Sequence, residues 1–129
     1  HKMQEDLLFE YAVIRVVPRV EREEFINVGV ILFCSKQRFL QTRFMLKEER
    51  VLSLYKEVDI EQLKENLCSF ERICKAGSDS GPIGKLTHAE RFRWLTATRS
   101  SVVQCSKVHP GLCKDAQGTL DKLFKQLVL

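Results

Sequence analysis

Residues 25–33, Phe-Ile-Asn-Val-Gly-Val-Ile-Leu-Phe, form the most strand-like stretch of this 129-residue chain. The run is almost continuously apolar and rich in β-branched and aromatic residues, which favour extended backbone. An apolar run of this kind is typical of a strand that is covered on both of its faces. The stretch therefore predicts the central strand of a sheet, around which the rest of the fold is expected to assemble.

Two further strands are predicted next to the central one. The segment from Leu7 to Val17 alternates in its inner part, and Pro18, which has no N–H, is expected to end it. Residues 39–45 form a third apolar run after the short polar connection 35–38. Sequential strands with short connections usually pair as an antiparallel meander. The sequence therefore predicts a β-hairpin extended by a third antiparallel strand.

Helices are predicted where apolar residues recur at helical spacing. From Asp59 to Ala76 they form one stripe, with Asp59 as N-cap and Gly77 expected to end the helix. Thr87 and Glu90 match a capping box, which predicts a short helix through residue 97. The remaining predictions are helices at 47–55 and 115–128, a strand at 101–106 and a turn at 108–114.

These elements indicate a single α+β domain over residues 1–129, with an antiparallel sheet and helices packed mainly on one face. His1 and Lys2 precede Met3 and are interpreted as an expression remnant. The chain is 44% hydrophobic and 29% charged, which is a globular balance, and its net charge of +4 permits an anionic partner without requiring one. No apolar run approaches the roughly 18 residues that would predict a membrane span. Five cysteines without a framework spacing indicate free thiols, so a cytoplasmic location is expected.

Polar residues on the three predicted strands form the main candidate site. If the register allows, Arg15, Asn27 and Arg43 converge on one face of the sheet, with Glu24 at its edge. Guanidinium groups beside a carboxamide suit a phosphate or carboxylate, which arginine binds through paired hydrogen bonds. In the alternative interpretation Arg15 pairs with Glu24 across the strands and Arg43 is solvated.

Gly29 lies inside the central strand, where a glycine often marks a bulge or a close backbone approach. Asn27 is expected to share a face with Gly29 and Ile31, because side chains alternate along a strand. The two residues could form the floor of a binding site. Alternatively, Asn27 bonds the hairpin loop and Gly29 makes room for a core aromatic residue.

Two further groups of residues are candidates for binding nucleic acid or a metal ion. Arginines interleaved with an aromatic residue can hold single-stranded nucleic acid, and the residues in question are Arg91, Arg93, Trp94 and Arg99. The alternative is an amphipathic segment whose arginines lie in water. Cys105, His109 and Cys113 lack the knuckle and the fourth ligand of a zinc site, so the sequence predicts no metal and no cofactor.

The pattern Tyr11-x-x-x-Arg15-x-x-Pro18, followed by Glu-Phe-Ile-Asn-Val-Gly-Val-Ile-Leu at residues 24–32, resembles the opening of a bacterial family catalogued as a domain of unknown function. Residues 92–100 and 123–128 are similar as well, so the resemblance covers most of the chain. It implies a small bacterial protein associated with HipA-like kinase genes, and it supplies no catalytic residue.

The chain carries no nucleotide-binding, nucleophile-elbow or kinase motif, so the sequence makes no prediction that the domain is an enzyme. Together with the resemblance, this favours an accessory or protein-binding domain with a HipA-like kinase as its partner. The alternative is an enzyme or a domain that binds a phosphate ligand or nucleic acid through the arginine, asparagine and glutamate side chains on the sheet.

Overall fold

The computed structural model describes residues 6–19, 24–77, 80–97 and 102–129. The strands are β1 (Leu7–Arg19), β2 (Glu24–Cys34), β3 (Phe39–Phe44), β4 (Val103–Cys105) and β5 (His109–Cys113). The helices are α1 (Glu48–Leu54), α2 (Ile60–Lys75), α3 (His88–Ala97) and α4 (Ala116–Leu127), with a short 3-10 turn at Pro82–Lys85. None of the described helices is long and apolar enough to cross a bilayer.

The five strands form one antiparallel sheet in the order β3-β2-β1-β4, and β5 also pairs with β1. β4 pairs with residues 14–16 of β1 and β5 with residues 7–11, so both lie along the side of β1 that faces away from β2. The predicted α+β class and the hairpin meander of the first three strands are confirmed. The long strands β1 and β2 form the centre of the sheet.

Helices cover both faces of β2, as its apolar sequence predicts. Alternate residues of β2 enter different cores: Ile31 and Phe33 pack with α1, α2 and α3, whereas Val30 and Leu32 pack with α4. We call these two sides the three-helix face and the α4 face. Three of the four helices thus lie on one face, as expected, and α4 adds a third layer to the two that the sequence predicts.

A β-bulge interrupts the pairing of the two central strands. Ile14 is opposite Gly29, but the next residue, Arg15, is opposite Asn27, so Val28 is the extra residue on β2. A bulge redirects the side chains that follow it. Asn27 therefore lies on the α4 face while Ile31 lies on the three-helix face, and the expectation that they share a face is wrong.

Three element boundaries differ from the sequence prediction. β1 continues through Pro18, because a second register irregularity between Val16 and Arg19 removes the need for its N–H. The predicted turn at 108–114 is strand β5, since Pro110 is tolerated on a strand that pairs on one side only. The left-handed residue that ends α2 is Ala76, with φ of +55°, and not Gly77. Carbonyls in this last turn accept hydrogen bonds from Arg91, so glycine is not needed there.

Candidate functional site

A row of polar side chains crosses three strands of the α4 face. Gln104 of β4, Arg15 of β1 and Asn27 of β2 are consecutive cross-strand partners, and all three are half-buried. The Asn27 Nδ2 atom donates to the carbonyl of Leu127 at 3.1 Å, which places the row beside the C-terminal end of α4. We call these three residues the polar row.

Arg15 and Asn27 each keep one buried polar atom without a partner. The Arg15 guanidinium lies 4.3 Å from the centre of the half-exposed Phe25 ring, a cation–π arrangement. Its Nε atom is buried and makes no hydrogen bond to a described residue, and the same holds for Asn27 Oδ1. A buried donor or acceptor left unpaired costs about 1–3 kcal/mol. Because both atoms are buried, a small polar molecule reaches this donor and this acceptor only when the residues that cover them move.

Arg43 lies on the same face as Arg15 and Asn27, but it is engaged by α4. Its Nη1 atom is 2.8 Å from Asp121 Oδ1, and its guanidinium lies 4.5 Å from the centre of the Phe124 ring. Arg43 is opposite Val30, three positions along β2 from Asn27, which is a separation of roughly 10 Å along the strand. The structure thus brings Arg15 and Asn27 together and joins Arg43 to α4.

Gly29 and Glu24 have different positions relative to the polar row. A Cβ atom on Gly29 would lie 2.8 Å from both the Arg43 carbonyl oxygen and Phe44 Cβ, so the glycine allows β3 to approach closely. Glu24 is the exposed first residue of β2, opposite Arg19. Gly29 therefore serves strand packing, and Glu24 lies at the start of β2, at the hairpin end of the sheet.

Comparison with known proteins gives one match. The family model described as "Protein of unknown function (DUF3037)" matches residues 11–128. The chain belongs to this family. No curated protein and no solved structure matches the chain. Membership of DUF3037 confirms the resemblance to a domain of unknown function and adds no activity to the site described above.

The arginines of the second predicted group in this DUF3037 domain, Arg91 and Arg93, differ in how deeply they are buried. Arg91 is 5% exposed and donates through Nε to the Leu86 carbonyl and through Nη1 to the carbonyls of Ile73 and Cys74. Arg93 and Trp94 lie on the exposed side of α3. Arg99 lies outside the described residues. Arg91 thus joins α3 to the C-terminal end of α2 and is not part of an exposed patch.

The candidate metal ligands are spread over both faces of the sheet. Cys105 belongs to the three-helix core and Cys113 to the α4 core, while the His109 ring packs 5.3 Å from that of Tyr11. Among the described residues, no group of three histidine, cysteine or acidic side chains is close enough together to hold a metal ion. None of the five cysteines, all of which lie in the described part of the chain, forms a disulfide. Burial raises the pKa of the Cys74 thiol to about 11, so it is protonated at neutral pH.

Two other surfaces of the structure, an exposed leucine pair and an open groove, are not among the sites predicted from the sequence. Leu8 and Leu112 are cross-strand partners on β1 and β5 and are 60% and 66% exposed. An open groove of about 490 Å³ lies between β3, the end of α2 and the start of α3. The alternation of β1 could have indicated Leu8. The groove could not be anticipated, because it depends on how two helices meet the sheet.

Proposed function

We propose that this domain is a protein-binding accessory module that engages its partner at the β1–β5 edge of the sheet. The observation that carries the proposal is the exposed pair formed by Leu8 and Leu112. Both side chains point to the three-helix face, because their chain neighbours Leu7 and Cys113 belong to the α4 core. Two adjacent leucines in water are expected to gain free energy when a partner covers them.

A small apolar hollow lies beside Leu8. It has a volume of about 150 Å³ and is lined by Leu8, Phe9, Glu10, Phe33, Ser35 and Lys36. An apolar cavity on the order of this size accepts benzene. The hollow is therefore large enough for one apolar side chain of a partner, with Glu10 and Lys36 available for polar contacts around it.

β5 offers its backbone as well as its side chains. Among the described residues it pairs with β1 alone, and no charged side chain lies on it. Natural sheet edges are commonly protected by charged side chains or proline; β5 has Pro110, which lacks one N–H for an added strand, but no lysine, arginine or carboxylate. An extended segment that adds to such an edge obtains affinity from main-chain hydrogen bonds and specificity from side-chain pockets. The partner segment is therefore expected to bind as an added strand with an apolar residue in the hollow.

The family resemblance supplies the partner to test, a HipA-like kinase from the same bacterial source. The cytoplasm is the proposed compartment, since free and mostly buried cysteines suit a reducing environment. In this function the domain is a non-catalytic binding partner of the kinase. It needs only one extended, apolar segment on the kinase surface.

The test measures the affinity of purified HipA-like kinase for the purified domain and for a Leu112→Lys variant. Leu112→Lys is expected to weaken binding by at least about thirtyfold, the effect of losing an interface hot spot. Met45→Lys is the matched control, because Met45 is an exposed apolar residue outside the hollow and the β1–β5 pair. Absence of micromolar binding, or equal affinity of the Leu112→Lys variant, would contradict the proposal. A homodimer that Leu112→Lys dissociates would show that a second copy, and not the kinase, occupies the edge.

The polar row supports a second candidate function, binding of a small anionic ligand. The observation that favours it is the unpaired Arg15 Nε atom beside the unpaired Asn27 Oδ1 atom. A protonated phosphate monoanion has both an acceptor and a donor and could satisfy both atoms. Inorganic phosphate is expected to shift the Arg15 Nε–H resonance, and the Asn27→Ala variant should lose this response. No shift at millimolar phosphate would exclude this function.

A further inference from the structure

The groove between β3, α2 and α3 carries more positive than negative charge. Its lining residues are Arg38, Phe39, Leu40, Gln41, Thr42, Glu71, Cys74, Lys75 and His88. Glu71 is the one carboxylate among them, and it is 3.1 Å from the ammonium group of Lys75 on the same helix. The positive charge of Arg38 is therefore left without a compensating carboxylate in the lining.

Arg38 is held at the rim of the groove by an unusual backbone conformation. It ends the turn between β2 and β3 with φ of +50°, in the left-handed region that few residues other than glycine and asparagine adopt. Its N–H bonds to the carbonyl of Ser35 at 3.0 Å, and its guanidinium forms no ion pair with a described residue. A large cationic residue thus occupies a position that a smaller residue would adopt with less strain.

A second guanidinium lies behind the groove. Arg91 is buried, and its hydrogen bonds go to three neutral carbonyl groups through Nε and Nη1. No hydrogen bond within the described residues uses its Nη2 atom. Burial lowers the pKa of the His88 imidazole, and the positive charges of Arg91 and Arg38 lower it further. His88 itself makes no hydrogen bond to a described residue, so its ring nitrogens are available.

We propose that this groove binds a small phosphate-bearing molecule, with Arg38 and His88 holding the phosphate and Lys75 at the rim. A guanidinium fork matches phosphate oxygens in geometry and charge, and the imidazole adds an N–H donor. The volume of about 490 Å³ exceeds the need of a free phosphate and is within the range of small-molecule pockets. This function is separate from the partner edge at β5.

Four probes distinguish the source of the phosphate: inorganic phosphate, ribose 5-phosphate, adenosine 5′-monophosphate and adenosine. Binding is followed through the backbone amide resonances of residues 38–42 and the His88 ring resonance. The three phosphate compounds are expected to shift these signals, and adenosine is not. If either phosphate ester binds more tightly than inorganic phosphate, the organic part of that ester contacts the rest of the groove. The proposal would be overturned if adenosine bound as tightly as the phosphate compounds, or if no phosphate compound shifted these signals at millimolar concentration.

The decisive variant is Arg38→Gly, which removes the charge while keeping a residue that adopts positive φ without strain. It is expected to weaken phosphate binding by at least about tenfold. Arg93→Gln is the matched control, because it removes an exposed cation of α3 that does not line the groove. Equal binding by wild type and Arg38→Gly would overturn the proposal, as would equal losses in the two variants.

The titration of His88 supplies a second readout that does not depend on a variant. The groups that face it are Arg38 from the turn, Arg91 from its own helix, and Glu71, Cys74 and Lys75 from α2. A bound phosphate favours the imidazolium form, so the pKa of His88 should rise towards or above its ordinary value when phosphate saturates the groove. An unchanged His88 titration curve at saturating phosphate would place the anion elsewhere and contradict the proposal.

Discussion

The two faces of the sheet are covered by cores of different size and by different polar contacts. Among the described residues, the three-helix core contains eighteen buried residues and the α4 core nine. The three-helix face includes the buried Arg91, which joins α3 to α2. The α4 helix instead has half-buried polar contacts at its two ends, where Gln37 accepts from the Ala116 N–H and Asn27 donates to the Leu127 carbonyl. In its middle, Asp121 forms an exposed ion pair with Arg43.

Because α4 packs on the opposite face of the sheet from the other three helices, we expect it to open independently of them. A helix that relies on a small core and on contacts at its ends can detach without disrupting the other three helices. The polar row lies beneath the C-terminal end of this helix. Local opening of α4 would therefore expose Arg15 and Asn27, whereas the groove at Arg38 would remain as it is.

The largest expected effect comes from the centre of the α4 core. Phe124→Ala removes a side chain that is 1% exposed and should lower the free energy of unfolding by about 3–5 kcal/mol, measured by urea denaturation. Hydrogen exchange should show faster opening of α4 than of α2. Lys125→Ala, an exposed neighbour, is the control and should change stability by less than about 0.5 kcal/mol. Equal loss of protection in α2 and α4 would show that the two faces unfold together.

A slightly smaller effect is expected from the polar contact of the three-helix face. Arg91→Met leaves the carbonyls of Leu86, Ile73 and Cys74 without their donor and should cost about 2–3 kcal/mol of unfolding free energy. The same change at Arg93, which is exposed on the same helix, is expected to cost less than about 0.5 kcal/mol. If the two variants were equally stable, Arg91 would not be the link between α2 and α3.

The fold was predictable where one local pattern dominates. The apolar run of β2 indicated a strand covered on both faces. The Thr87–Glu90 capping box indicated α3, and in the structure the Thr87 N–H donates to Glu90 Oε1 and the Glu90 N–H donates to Thr87 Oγ1. β5 was not predictable in the same way, because Pro110 and Gly111 are turn residues unless they lie on a sheet edge. Residues 109–113 form a strand because they pair with the neighbouring strand β1.

The candidate site was only partly predictable, because it depends on register. Gly29 indicated a bulge, yet the sequence does not say which residue becomes the extra one, and this choice places Asn27 beside Arg15. The ion pair between Arg43 and Asp121 could not be predicted from the sequence, because it depends on where α4 packs on the sheet. Burial of Arg91 did have a signal in the sequence: it lies four residues before the buried Leu95, on the same side of the helix.

An intermediate effect on the α4 face is expected from the polar row. Asn27→Ala removes the hydrogen bond to the Leu127 carbonyl and should lower the free energy of unfolding by about 1 kcal/mol. The change should be concentrated in faster hydrogen exchange at the end of α4. Asn27→Asp serves as the comparison, since it also loses the donor but places a carboxylate beside Arg15. A stability gain in Asn27→Ala would show that the unpaired Oδ1 atom costs more than the Leu127 bond contributes.

The smallest expected effect is that of the ion pair between Arg43 and Asp121, whose side chains are 43% and 41% exposed. Exposed pairs contribute about 0.2–1 kcal/mol, and salt screens them. A double-mutant cycle with Arg43→Met and Asp121→Asn should therefore give a coupling energy in this range at low salt and close to zero at high salt. Arg43→Met keeps an apolar stem for packing on Phe124, so the cycle isolates the charge term from the ring contact. A coupling energy that high salt leaves unchanged would mean that α4 is held in its middle as well as at its ends.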